Sequence, residues 1–406
     1  MSITRAGVAI AALAVAAGGL LACEDAITAP GACPEFCPQG ELTIVDTLLP
    51  NSTTPLGSYD GYRLPHEAAQ VQVVGPGGPV ESRALLVFYA FGTTLSSSDT
   101  TIKDSILETD SIRFVFNVLR RTTAATGLTL ALHAVPTGTD STATFASTAP
   151  YFADSTLVAT LPLPDTLTGG RVGVTVVPGA LARYVADTMH VAVGINIVSP
   201  DPAFISLGTA DTIPPAQLIR FVQVDTSDGS KLVTRSDTVA VSFHTFVVDS
   251  ARLPAPQGMV SGGIQAARGF MHLAVPQQLL DSALIVRATL LLPPVATTFG
   301  APGDSVHVRV QELGADFGPK SPLITLSTDS ARTGAVAVGS TDTVRVDITD
   351  VLRAWHSDST LPHNVMLRVI PEAGSIDWVE LAPTDTSGFQ GALHITYGLP
   401  FRLPGR

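Results

Sequence analysis

Short apolar runs recur along the whole chain, separated by clusters of Asp, Ser, Thr, Gly and Pro. Ala84–Phe91, Ile112–Leu119, Leu128–Val135, Val172–Val177 and Val191–Val198 are examples. Many alternate with a period of two and are rich in β-branched residues, which predicts strands rather than helices. Two short segments read as helical, Gly179–Val185 and Thr349–His356. In the second, Thr349 or Asp350 is the expected cap, and Leu352 and Trp355 share a face at i, i+3 and should dock on a sheet.

The strand pattern repeats once. Asp110–Leu119 corresponds to Asp281–Leu290, Gly127–Val135 to Ser305–Leu313, and Arg171–Val177 to Thr343–Thr349. Farther on, Met189–Ile197 corresponds to Asn364–Ile370, Ala203–Leu207 to Ile376–Leu381, and Gln217–Val222 to Ala392–Tyr397. A period this long indicates tandem domains, not a solenoid. Each copy holds too many strands for one sheet with a wet face, so a two-sheet sandwich is expected for each. The polar run Asp225–Ser230 places the boundary, giving units at 42–226 and 227–406. The expected fold class is therefore all-β, with two tandem antiparallel sandwiches.

The N-terminus carries a different signal. Arg5 precedes an uncharged stretch from Gly7 to Ala22, which ends in Leu20-Leu21-Ala22-Cys23. This ending resembles the lipobox of bacterial lipoproteins. The resemblance implies a signal peptide at 1–22, cleavage before Cys23, lipidation of the Cys23 thiol (for which palmitate is a natural acyl chain), and tethering in the cell envelope. The outer membrane, on its periplasmic or surface side, is the expected address. Residues 23–41 form a Pro/Gly-rich tether, interrupted by Pro30, Gly31, Pro34, Pro38 and Gly40. Cys33 and Cys37 lie within it. In an oxidising compartment they are candidates for a local disulfide, with two free thiols as the alternative.

The second copy has a recognisable order. Arg268–Pro276 precedes Asp281–Leu292; then comes Val346-Asp-Ile-Thr-Asp-Val-Leu-Arg-Ala-Trp355, a strand running into a helical turn, and a last strand ends at Ile395-Thr396-Tyr397. This resembles the DNRLRE-type domain, a jelly-roll sandwich similar to a family of carbohydrate-binding modules. The likeness spans most of 229–398 and reaches the first copy through the repeat, where Tyr184 stands in place of Trp355. It implies two jelly rolls, and sugar binding as one use of them.

Composition narrows the function. Only 14% of residues are charged and mean hydropathy is +0.34, yet no segment after the leader offers about 18 consecutive apolar residues. A net charge of −12 without basic clusters argues against nucleic acid as a partner. His66-Glu67-Ala68-Ala69-Gln70 falls one histidine short of a zinc-binding H-E-x-x-H, and no G-x-S-x-G, Walker A or G-x-G-x-x-G motif is present. No catalytic residue, metal site or cofactor is assigned. For a saccharide, an exposed aromatic platform is expected. Trp378 is the leading candidate, although alternation leaves open whether it faces solvent or core, and Tyr59 and Tyr62 in a turn-rich segment follow. The resulting expectation is a non-enzymatic, lipid-anchored envelope protein that recognises polysaccharide or another envelope protein. The alternative is a secreted glycosidase-like hydrolase whose site the sequence does not display.

Overall fold

A computed structural model of the chain describes residues 43–96, 103–177, 179, 190–225, 232–249, 251, 253–256, 258–324, 332–383 and 391–399. The fold is mostly strand (52%, against 11% helix) and its ladders are antiparallel, so the all-β expectation holds. The first half contains β1 (Thr43–Leu49), β2 (Thr53–Tyr59), β3 (Gln70–Val74), β4 (Ser82–Phe88), β5 (Thr94–Ser96), β6 (Lys103–Arg121), β7 (Thr129–Ala134), helix α1 (Phe145–Thr148), β8 (Leu157–Pro162), β9 (Gly170–Val176), β10 (Ala192–Val198), β11 (Phe204–Gly208) and β12 (Gln217–Asp225). The second contains β13 (Leu232–Val248), β14 (Gly258–Gly262), β15 (Arg268–Leu273), α2 (Gln277–Ser282), β16 (Leu284–Leu292), β17 (Ser305–Glu312), β18 (Thr333–Ala337), β19 (Val344–Asp347), α3 (Thr349–Ser357), β20 (Asn364–Ile370), β21 (Trp378–Pro383) and β22 (Ala392–Leu399).

Much of the pairing recurs between the repeats, although β11–β6 and β3–β4 join the sheets of the first half whereas β14–β21 stands as a separate two-stranded sheet among the described residues. β9–β6–β12 in the first half matches β19–β16–β22 in the second, β4–β10–β7–β8 matches β15–β20–β17–β18, and β3–β11 matches β14–β21. The leading strands break the pattern. β1 pairs with β22 and β2 with β15, so the segment that opens the first repeat completes the sheets of the second. β13, which opens the second repeat, pairs with β12 through its first part and with β4 through its last. The boundaries expected at 42–226 and 227–406 thus divide the sequence but not the sheets: residues 43–59 and 232–248 are reciprocally exchanged.

The two leading segments differ in one respect. β13 runs without a turn, shifting register between Val241 and Phe243 as it passes from β12 to β4. It thereby closes a barrel-like ring of six strands, β13–β12–β6–β11–β3–β4. The equivalent segment in the second half is broken between β1 and β2, where Asn51 has φ +54° and Pro50 lacks a ladder donor. There the four-stranded sheet (β1–β22–β16–β19) and the five-stranded sheet (β18–β17–β20–β15–β2) stay separate.

Burial follows the pleat. β17 turns Val306, Val308 and Val310 inward, and α3 docks Val351, Leu352 and Trp355 on the same core. The N-cap of α3 is Ile348, just ahead of the expected residues and without a side-chain cap bond; Asp347 Oδ1 instead accepts from Thr349 N at 2.9 Å, while the Thr349 hydroxyl accepts from Ala288 N at 2.9 Å. The other expected helix, from Gly179, extends mostly outside the described residues.

β3 and β11 are buried on both faces because the second half covers their outer side. Gln72, fully buried, sits at the centre of that contact. Its Nε2 donates to Asp304 Oδ2 (3.1 Å) and Asp377 Oδ2 (3.4 Å), and its Oε1 accepts from Ile376 N (2.8 Å). Arg120 Nη1 reaches Asp304 Oδ1 at 2.6 Å, and Ala301 N donates to Asp377 Oδ1 at 2.8 Å. A Cβ on Gly300 would lie 2.2 Å from Asp377 Oδ1, so this approach requires glycine. Ile376 and Ala301 of the second half belong to the first half's core cluster.

Burial, and then the neighbouring Asp304 charge, push the Asp377 carboxyl up to about 7. The folded state therefore favours the protonated form. Its contribution is present near the unfolded carboxyl range and is lost as pH rises through about 7. We expect Asp377→Asn to gain stability relative to wild type by on the order of 1 kcal/mol between pH 6 and pH 8, measured as the difference in urea midpoints at the two pH values. A difference that stays constant with pH would contradict this protonation state.

Candidate functional site

Residues near one edge of the contact between β2 and the second half line a groove of about 810 Å³. Alternation along Ser375–Leu381 resolves the orientation of Trp378. Asp377, Val379 and Leu381 point inward, whereas Trp378 and Glu380 share the half-buried outer face. The Trp378 backbone is fixed by an isolated bridge to Phe299, with N···O distances of 2.8 and 3.1 Å. The two rings meet edge to face at 5.6 Å. On the other side Trp378 pairs with Gly262 of β14. Gly262 has φ +102°, and a Cβ there would lie 2.5 Å from the Asp377 carbonyl oxygen. Only glycine fits, and it places no side chain beside the indole.

Tyr59 reaches the same groove from the exchanged strand β2, together with Ser58 and Asp60. The residue is 41% exposed, and its ring packs at 5.7 Å against Phe270. Ser58 Oγ is engaged by Val260 N at 3.3 Å. Asp60 and Gln265 bring polar side chains to the lining, and Val260, Ile264 and Ile376 bring apolar ones. Among the described lining residues there is no Arg or Lys, and Asp60 is the one carboxylate.

Tyr62 is not part of the groove. Its hydroxyl donates to the Pro319 carbonyl at 2.8 Å, and its ring lies under the Arg268 guanidinium at 4.1 Å. Arg268 is itself held bidentately by Glu372 at 2.6 and 2.9 Å. Burial pushes the Tyr62 hydroxyl up from its ordinary pKa. The aromatic trio is therefore Trp378, Phe299 and Tyr59. Phe299 escapes a sequence reading because it sits in a loop, and only the bridge to Trp378 gives it a place. Cys23, Cys33 and Cys37 lie outside the described residues.

The near-match to a zinc motif adopts another form. Pro65–Glu67 is a single 3-10 turn, and His66 stacks on Phe243 at 5.9 Å. Among the described residues no group of three His, Cys, Asp or Glu is placed to hold a metal ion.

A second depression, about 670 Å³, lies on the outer face of the four-stranded sheet. Its lining is polar throughout: Asp46, Arg287, Thr289, Thr333, Arg345, Asp347, His394 and Thr396. Asp46 Oδ1 accepts from Thr396 Oγ1 at 2.8 Å and lies 3.0 Å from His394 Nε2, and those hydrogen bonds hold its carboxyl below the usual range. Without a Trp, Tyr or Phe in this lining, the face offers a saccharide mainly hydrogen bonds, and its one ring, the His394 imidazole, is engaged by Asp46.

Comparison with known proteins finds no matching family model, no matching curated protein and no matching solved structure.

The two tryptophans should separate cleanly. Trp355 is 1% exposed in the second core, so Trp355→Ala is expected to cost about 3–5 kcal/mol. Trp378→Ala should cost about 1 kcal/mol, mainly the lost contact with Phe299. Chemical denaturation measures both, and acrylamide should quench a Trp355→Phe protein, which retains Trp378, far more than a Trp378→Phe protein.

Proposed function

We propose that this chain is a lipid-anchored protein of the cell envelope with a non-catalytic role, and that the groove at Trp378 recognises a saccharide of a polysaccharide or of a glycosylated envelope partner. The observation that carries the reading is the convergence of Trp378, Tyr59 and Phe299 on one groove beside Asp60 and Gln265. An apolar ring supplies a stacking surface for a pyranose face, and side-chain carboxylate and amide groups take up its hydroxyls. In this reading each half is a DNRLRE-type jelly roll. Support comes from the matched pairing of the two repeats and from the docking of α3 through Trp355.

The hydrolase alternative gains less from the groove. Glycoside hydrolysis ordinarily uses two carboxyl groups across the scissile bond, and the described lining offers Asp60 alone.

Two measurements test the proposal. In a polysaccharide pull-down or on a glycan array, Trp378→Ala and Tyr59→Ala should each weaken binding at least about tenfold, the loss of roughly 1.4 kcal/mol. Tyr62→Phe should bind as wild type. Retention by Trp378→Ala, or no binding by the wild type to any glycan, would remove the saccharide reading. Separately, metabolic labelling with a palmitate analogue should mark the wild type and not Cys23→Ala, and the unlabelled variant should leave the membrane fraction.

A further inference from the structure

We infer that the second half of the molecule is a strand-acceptor site, and that its ligand is the chain's own segment 43–59, held there without help from the covalent connection. This inference is independent of the saccharide reading.

The acceptor consists of two sheet edges, one from each sheet. β22 offers its free edge to β1 over seven positions, from Thr43↔Leu399 to Leu49↔Leu393. β15 offers its edge to β2, from Thr53↔Leu273 to Tyr59↔Arg268. Without the donor, β22 would be paired only with β16, and β15 only with β20. Unpaired edges of this kind are templates for an extended segment. Side chains add to the ladder: Leu49 packs on the second core, Thr396 Oγ1 bonds Asp46 at 2.8 Å, and Ala274 N bonds the Ser52 carbonyl at 2.7 Å.

The donor then leaves. After Tyr59 the chain passes through residues 60–69 and enters β3, which belongs to the other half's sheet. The strand adjoining the N-terminal tether is therefore clasped by the half that is farther along the sequence. A pull on the N-terminus is taken up by the β1–β22 ladder, between the first and last strands described. The groove depends on the same clasp, since Ser58, Tyr59 and Asp60 arrive with the donated segment.

The test uses the full chain with a protease recognition sequence inserted between Asp60 and Gly61, in the exposed stretch after β2. Cleavage should leave the N-terminal fragment bound through native size-exclusion chromatography and release it only in denaturant. In a background with Cys23, Cys33 and Cys37 replaced by Ser, Asp46→Cys with Thr396→Cys should form a disulfide that joins the two fragments on a non-reducing gel. Both positions lie on the sheet's outer face, so the core is untouched. Asp46→Cys with Phe221→Cys, the pairing expected had each repeat kept its own leading strand, should not cross-link. Free elution of the fragment on cleavage, or cross-linking to position 221, would overturn the inference. So would cross-linked dimers from a mixture of single-cysteine chains, which would assign the donor to a second copy.

Discussion

The reciprocal exchange of leading strands is the constraint on which the rest of this structure depends. Each half presents two sheet edges, and each is completed by a segment that precedes the other half in sequence. An unsatisfied edge leaves a row of backbone donors and acceptors without partners. Neither half satisfies its own row. The strand count per repeat suits an independent sandwich, but the pairing makes one interlocked body from two repeats.

That interlocking explains the unusual polarity of the contact between the halves. A strand at the centre of a sandwich commonly alternates apolar and polar, and β3 keeps that alternation with Gln72 between Val71 and Val73. Its polar side has no water to face, so Gln72 must find partners across the contact, and it finds Asp304, Asp377 and the Ile376 backbone. Two carboxyls close together in a dry site cannot both ionise cheaply. Arg120 compensates one, and Asp377 stays largely protonated below neutrality. The second core has a comparable feature: burial pushes Glu312 up to about 7, with the Arg332 charge opposing the shift.

The groove is placed by the same geometry. Trp378 is held at the start of β21 by ladders on both sides, to Phe299 and to Gly262, so its ring orientation is set by backbone pairing and not by side-chain packing alone. Tyr59 enters from the donated strand. A stacking surface built on two rigid strands and a bridged loop is preorganised, which suits recognition. Chemistry at a glycosidic bond would need a second carboxyl beside Asp60.

The local periodicity of the sequence determined which segments are strands, where the longest helix among the described residues sits and that the pattern occurs twice. It determined these because alternation, β-branching and turn residues act within a few positions of each other. It also pointed to Trp378 and Tyr59 as rings worth following. Partner choice between strands was decided by the tertiary structure alone, because β1 and β13 are each compatible in pattern with either half, and hydrogen-bond ladders join residues more than three hundred positions apart. The half-buried, groove-facing side of Trp378, the removal of Tyr62 to the Arg268–Glu372 pair, and the recruitment of Phe299 all follow from that choice. A period of two says that a side chain faces in or out, but what lies on each side is fixed only when the sheets are assembled.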